Sequence, residues 1–292
     1  MTLFAFVALL AQSMMPVQGA KGDPFWAEKA PTNEVRVALN VLQGRNMPMV
    51  QAKINGVDCT LLLDTGATHT TFNLDFVEKC VPGTKLEPVL LAGETNVAGA
   101  PSYFKVDSLD IGGARFENFG AMALDLSHLP AAMGVKVDGI LGMNTIGRVP
   151  MALSLKNGVV VFCPGEREKA GFDKTSLRHG GDPMSIMLLA VKGGKPFWVI
   201  VDSGASMTFL RSATGWPTTG EKAEFPAVDV NGRTGLAPQR GVTGPLTVGR
   251  ELAITVSPLV VDTADPSMNR IGSDVLLEYD LFVDGLTVSF RE

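Results

Sequence analysis

Two short segments carry the side chains best suited to chemistry: Asp64-Thr65-Gly66-Ala67-Thr68 and Asp202-Ser203-Gly204-Ala205-Ser206. Each Asp closes an apolar run, Leu61-Leu62-Leu63 before the first and Val199-Ile200-Val201 before the second. A run of this kind reads as a buried strand, so it carries the carboxyl into the interior. The glycine two positions on lets the backbone tighten beside it. Low dielectric opposes ionisation and a second carboxyl alongside opposes it further, so a facing pair holds a shared proton over a wide pH range. One member then serves as base and the other as acid. An isolated Asp-Thr-Gly would more simply be a turn capped by its own side chain. The duplication and the buried approach favour the pair.

The elements that must position these carboxyls also occur twice. Met49 to Ile54 alternates apolar and polar residues, Asn55-Gly56 is a hairpin turn signal, and the chain returns to Asp64. Ser185 to Val191, Gly193-Gly194 and Phe197 to Val201 repeat that order up to Asp202. Downstream, Gly139-Ile140-Leu141-Gly142 precedes a hairpin around Asn157-Gly158, and Arg270-Ile271-Gly272 precedes one around Asp284-Gly285. The expectation is an all-β chain of two lobes, 31–165 and 183–292, joined by a charged linker at 166–182 that lacks apolar periodicity. A strand is expected at Val35 to Leu42. One short helix is expected from the N-cap Asn73 to Lys79, stopped by Pro82-Gly83.

With both halves in order, the sequence resembles the aspartic proteases, most closely two retropepsin-like units in one chain with a pseudo-twofold β-barrel architecture. The resemblance implies that Asp64 and Asp202 form the catalytic dyad. It further implies that Thr65 and Ser203 exchange hydrogen bonds across the lobe interface, that Gly66 and Gly204 allow close backbone approach, and that Ile140-Leu141-Gly142 and Ile271-Gly272 pack beneath the loops. The implied reaction is peptide-bond hydrolysis by an activated water, with no metal and no organic cofactor. Ala67 and Ala205 stand where pepsin-like enzymes tend to place a hydroxyl that stabilises the ionised carboxylate, so a less acidic optimum is expected. A flap over a peptide substrate is expected at Glu94 to Tyr103, with Val97, Ala98, Gly99 and Ala100 near its tip. A second flap around Asn231 to Gly235 is left open, as is the base or acid role of each Asp.

The remaining features narrow the alternatives. Among the 292 residues the net charge is −5 with the signs interspersed, which argues against a nucleic-acid partner. Glycine is abundant, 32 residues, which suits turns better than helices. Cys59, Cys80 and Cys163 have no zinc-ribbon spacing, and one disulfide among them is left open. Residues 1–20 hold no charge and an apolar run from Leu3 to Ala11, which reads as a signal peptide cleaved near Gly19 or Ala20, too short for a membrane span. The expectation is an exported, periplasmic or secreted monomer. Ser203 and Ser206 lack a nucleophile elbow, and His69 is expected to have a surface or structural role. A catalytically silent peptide-binding protein is the rival reading.

Overall fold

The computed structural model describes residues 6–7, 25–80, 84–88, 102–169, 171–172, 174–177, 186–223, 227–228, 237–249, 252–265, 268–285 and 287–292. In the first lobe, Pro48–Ile54 and Val57–Leu63 form a hairpin in the expected register. Its turn has φ of 48° at Asn55 and 86° at Gly56, the left-handed pair that a two-residue turn between right-twisted strands requires. Gly139–Leu141 runs parallel to Leu61–Leu63 and antiparallel to Thr71–Asn73. Thr71–Asn73 in turn lies parallel to the end of Ala114–Leu124. That long strand pairs with Ser102–Ile111, which reaches back to Lys53 and Ile54 and closes a six-stranded barrel. Closure leaves those strands without a free edge. Leu61 to Leu63 are all fully buried, as a strand covered on both faces must be.

The second lobe follows the same order. Met187–Lys192 and Lys195–Val201 pair around Gly193 and Gly194, both at positive φ. Arg270–Ile271 lies parallel to Ile200–Val201, and Phe209–Arg211 lies parallel to Leu259–Val261. The equivalent of the long strand Ala114–Leu124 is broken into Leu252–Val256 and Leu259–Val261 by Ser257-Pro258. Proline has no N–H for the ladder, so the sheet stays curled where the first lobe closes. The expected short helix is Leu74–Cys80, whereas its counterpart is a 3₁₀ turn, Ser212–Thr214, ended by Gly215 at φ 73°.

A third sheet belongs to neither lobe alone. Its six strands run in the order Lys174–Leu177, Thr287–Arg291, Asp280–Asp284, Met151–Ser154, Val159–Phe162 and Val35–Ala38. Leu153 faces Leu281 across the central pairing. The segment expected as a linker, 166–182, therefore contains a helical turn, Glu166–Lys169, and a strand laid on the chain terminus. A four-residue strand at a sheet edge needs backbone partners more than apolar alternation, so its composition resembles a loop. Phe6–Val7 pairs in parallel with Ala227–Val228. Among the described residues no helix is long and apolar enough to cross a membrane.

Because strands from both lobes share this sheet, Leu281→Ala should destabilise by about 2–5 kcal/mol and displace unfolding of the whole chain. Calorimetry should show one transition moved downward. Two separated transitions, with only one displaced, would contradict the shared sheet as a unit.

Candidate active site

Each strand that ends in Asp64 or Asp202 delivers its carboxyl to the same place between the lobes. The loops are locked by a reciprocal set of hydrogen bonds. Thr65 N–H donates to Ser203 Oγ at 3.0 Å and Ser203 N–H donates to Thr65 Oγ1 at 3.0 Å. The two hydroxyls then donate across to the opposite strand, Thr65 Oγ1 to the Val201 carbonyl at 2.8 Å and Ser203 Oγ to the Leu63 carbonyl at 2.7 Å. All four groups are buried, so each satisfies a polar atom that would otherwise be stranded.

The glycines fit this closeness. A Cβ on Gly66 would overlap the Asp202 carboxyl, and a Cβ on Gly204 would overlap the Asp64 carboxyl. Each Asp accepts two backbone bonds on Oδ1, from Gly66 (2.8 Å) and Ala67 (3.0 Å) to Asp64, and from Gly204 (2.9 Å) and Ala205 (3.0 Å) to Asp202. Alanine thus contributes its N–H although it has no hydroxyl. Beneath the loops, Thr70 Oγ1 accepts from Gly142 N–H and Thr208 Oγ1 from Gly272 N–H, both at 3.1 Å. The carbonyls of Leu141 and Ile271 accept from the backbone N–H of Asp64 and Asp202. A Cβ on Gly142 or Gly272 would overlap the backbone of His69 or Met207, so these positions need glycine for space.

One member of the site breaks the symmetry. Arg270, 1% exposed, forms an ion pair through Nη1 with Asp202 Oδ2. The same position in the first lobe is Ile140, which packs among Leu62, Met49 and Leu129. Sequence reasoning took Arg270 only as the start of a shortened Ile-Gly element. The available signal was a charged residue at a strand position whose counterpart is apolar. Burial, followed by the charge of Asp202 and a hydrogen bond with it, holds the Asp64 carboxyl well above the usual carboxylate range, against an opposing pull from Arg270.

Thr65, Gly66, Ala67, Ser203, Gly204 and Ala205 thus surround the two carboxyls, while the expected flap residues Val97, Ala98, Gly99 and Ala100 lie outside the described residues, as do residues 231–235. His69 is buried, with its ring edge-on to Phe25 and its Nδ1 beside the Thr68 hydroxyl, a structural setting. Asn144 pins the segment before the first lobe by donating to the Phe25 carbonyl at 2.7 Å, and its Oδ1 accepts from Thr70 N–H. Among the described residues Cys59 and Cys163 are free thiols. Burial pushes the Cys59 thiol up to about 12. Among the described residues no group of three or more His, Cys, Asp or Glu could hold a metal ion.

Two β lobes, each contributing one Asp-[Thr/Ser]-Gly loop to a buried central pair, define a two-lobed acid-protease fold. Residues 50–145, within the first lobe, match the model of a family described as aspartyl protease. The match runs from the first hairpin through Asp64 to the turn after Gly142. No curated protein matches the chain.

The asymmetry separates two conservative substitutions. Asp64 binds its proton more tightly in the folded chain than in the unfolded one, so wild-type stability declines as pH rises from the ordinary Asp value near 4 toward the raised value. Asp64→Asn keeps the acceptor for both backbone N–H groups and should flatten that decline, raising Tm at neutral pH. Asp202→Asn leaves the Arg270 guanidinium buried without its carboxylate and should destabilise by about 3–5 kcal/mol. Calorimetry across the acid to neutral range measures both. Equal shifts of the same sign in the two variants would contradict the ion pair.

Proposed function

We propose that the chain is an aspartic endopeptidase in which Asp64 and Asp202 act together on one water molecule. The observation that supports this reading is the reciprocal Thr65 and Ser203 hydrogen bonding, which holds two buried carboxyls side by side, each against the glycine of the opposite loop. The ionised carboxylate takes a proton from water, whose oxygen attacks the peptide carbonyl carbon while the protonated carboxyl donates to the carbonyl oxygen. The C–N bond then breaks, the amine leaves with a proton, and the dyad returns to its singly protonated form. General acid-base action of this kind contributes about 10²–10⁴-fold. The substrate is a peptide or protein segment lying between the lobes, and the chemistry needs no cofactor. The uncharged leader at 1–20 supports export to the periplasm or outside the cell, and two lobes joined in one chain support a monomer.

One observation favours a second reading. An arginine against Asp202 is a device that a peptide-binding protein without turnover could also carry. Incubation of wild type and Asp64→Asn with a peptide library, with and without a statine-type transition-state mimic, separates the two. Wild type should cleave, the mimic should block cleavage, and Asp64→Asn should lose at least about 10²-fold. Since Asp64 holds its proton to higher pH than an ordinary carboxyl, the active singly protonated dyad should persist toward neutrality. A rate profile peaking in the strongly acid range would refute that expectation. Peptides bound by wild type but never cut would establish the binding reading.

A further inference from the structure

We infer that Arg270 divides the labour of the dyad, fixing Asp202 as the resident carboxylate and Asp64 as the carrier of the shared proton. The catalytic part of this inference rests on the hydrolase reading above, whereas the charge assignment stands on the geometry alone.

The two loops are otherwise near copies. Both Asp residues accept two backbone N–H bonds on Oδ1, and both sit beside a hydroxyl residue engaged across the interface. The difference enters at one residue. In the parallel ladders beneath the loops, Ile140 stands opposite Leu62 and Arg270 stands opposite Ile200. Both positions lie two residues before the packing glycine. Ile140 turns into an apolar cluster, while Arg270 carries a guanidinium to Asp202 Oδ2.

Proton placement follows from donors and acceptors. A guanidinium only donates and remains charged, and at 1% exposure its charge requires an anionic partner. Both oxygens of Asp202 already receive donors: Oδ1 receives two N–H groups, and Oδ2 receives the guanidinium. A proton added to Asp202 would remove the negative charge that the buried guanidinium faces. The donors to Asp64 among the described residues, Gly66 and Ala67, both lie on Oδ1. Its other oxygen can carry a proton and donate toward the Asp202 carboxyl across the loop interface, where each carboxyl lies against the glycine of the opposite loop. One proton on Asp64, one negative charge on Asp202 and one positive charge on Arg270 make the buried trio neutral, the arrangement that low dielectric favours.

Among the described residues, two titratable groups on neighbouring elements are otherwise engaged. Asp274, on the turn after Gly272, takes the Thr208 hydroxyl at 2.8 Å, and its carboxyl is pushed up by burial. His69, on the first-lobe loop, meets Thr68 and Phe25. In hydrolysis the assignment means that Asp202 receives the proton from water and later passes it to the leaving amine. Asp64 protonates the carbonyl oxygen and recovers its proton as the carbonyl re-forms. Arg270 acts through Asp202 and is a positioning residue.

The test reads protonation directly, by carbon NMR of full-length protein labelled at the Asp carboxyl carbons, with Asp64→Asn assigning the signals. As pH falls, the first proton taken up by the wild-type dyad should appear on Asp64. In Arg270→Ile, which copies the first lobe, both protonation steps of the dyad should move to higher pH, the second by about 1–3 units. Arg270→Lys, which restores the charge, should recover most of that shift, and the acid limb of kcat/KM should move in parallel with the NMR titration. Uptake of the first proton on Asp202 in wild type, or an unchanged titration in a folded Arg270→Ile, would overturn the inference. If Arg270→Ile does not fold, the wild-type order and the Arg270→Lys titration still decide it. A chain that titrates as expected but never cuts a peptide would end the hydrolase reading and leave the charge assignment in place.

Discussion

Two carboxyl groups buried side by side are an unfavourable arrangement, and most of this structure is organised around making it tolerable. A guanidinium balances charge, four backbone N–H groups converge on two oxygens, and burial holds the Asp64 carboxyl well above the usual carboxylate range. The Thr65 and Ser203 hydroxyls prevent the loops from separating to relieve the repulsion, because each hydroxyl donates to a carbonyl of the opposite lobe. The glycines at 66 and 204 allow that proximity, and those at 142 and 272 support it from below. Every one of these contacts depends on the strands leading into the loops, so barrel and site share one set of constraints.

The duplication supplies a near-symmetric cradle, and the proposed hydrolysis needs one carboxyl as acid and the other as base. A perfectly twofold site would leave the choice of acid and base to the substrate. On the assignment inferred above, an arginine in place of an apolar strand residue makes the choice within the protein, at a position that the fold already directs inward. The aliphatic part of Arg270 retains a buried place in the strand while its head meets the carboxylate.

Much of this was legible in the residues themselves. The hairpins at Asn55-Gly56 and Gly193-Gly194 announce themselves because few residues accept positive φ. Asp64 and Asp202 follow from apolar runs that leave them nowhere but inside. Arg270 escaped notice because a cation in a short apolar element looks like the end of a strand until its register places it opposite Ile200. The strand at Lys174–Leu177 escaped because its partner, Thr287–Arg291, lies more than a hundred residues downstream, and no local pattern reports a pairing over that distance. The break at Pro258 was written in the sequence, yet its effect on closure appears only once the counterpart strand Ala114–Leu124 is seen to be continuous.

The sheet shared between the lobes also bears on the order of events during synthesis. Met151–Ser154 finds one neighbour at once, in the adjacent hairpin, but its other neighbour, Asp280–Asp284, is made more than a hundred residues later. The first lobe therefore emerges from the ribosome with an open flank. It must wait for the C-terminal strands, and long-range pairings of this kind make folding slow. The same delay means that Asp64 and Asp202 cannot come together on a nascent chain until the second lobe has been made, so the weave of the sheet acts as a clock on assembly of the paired carboxyls.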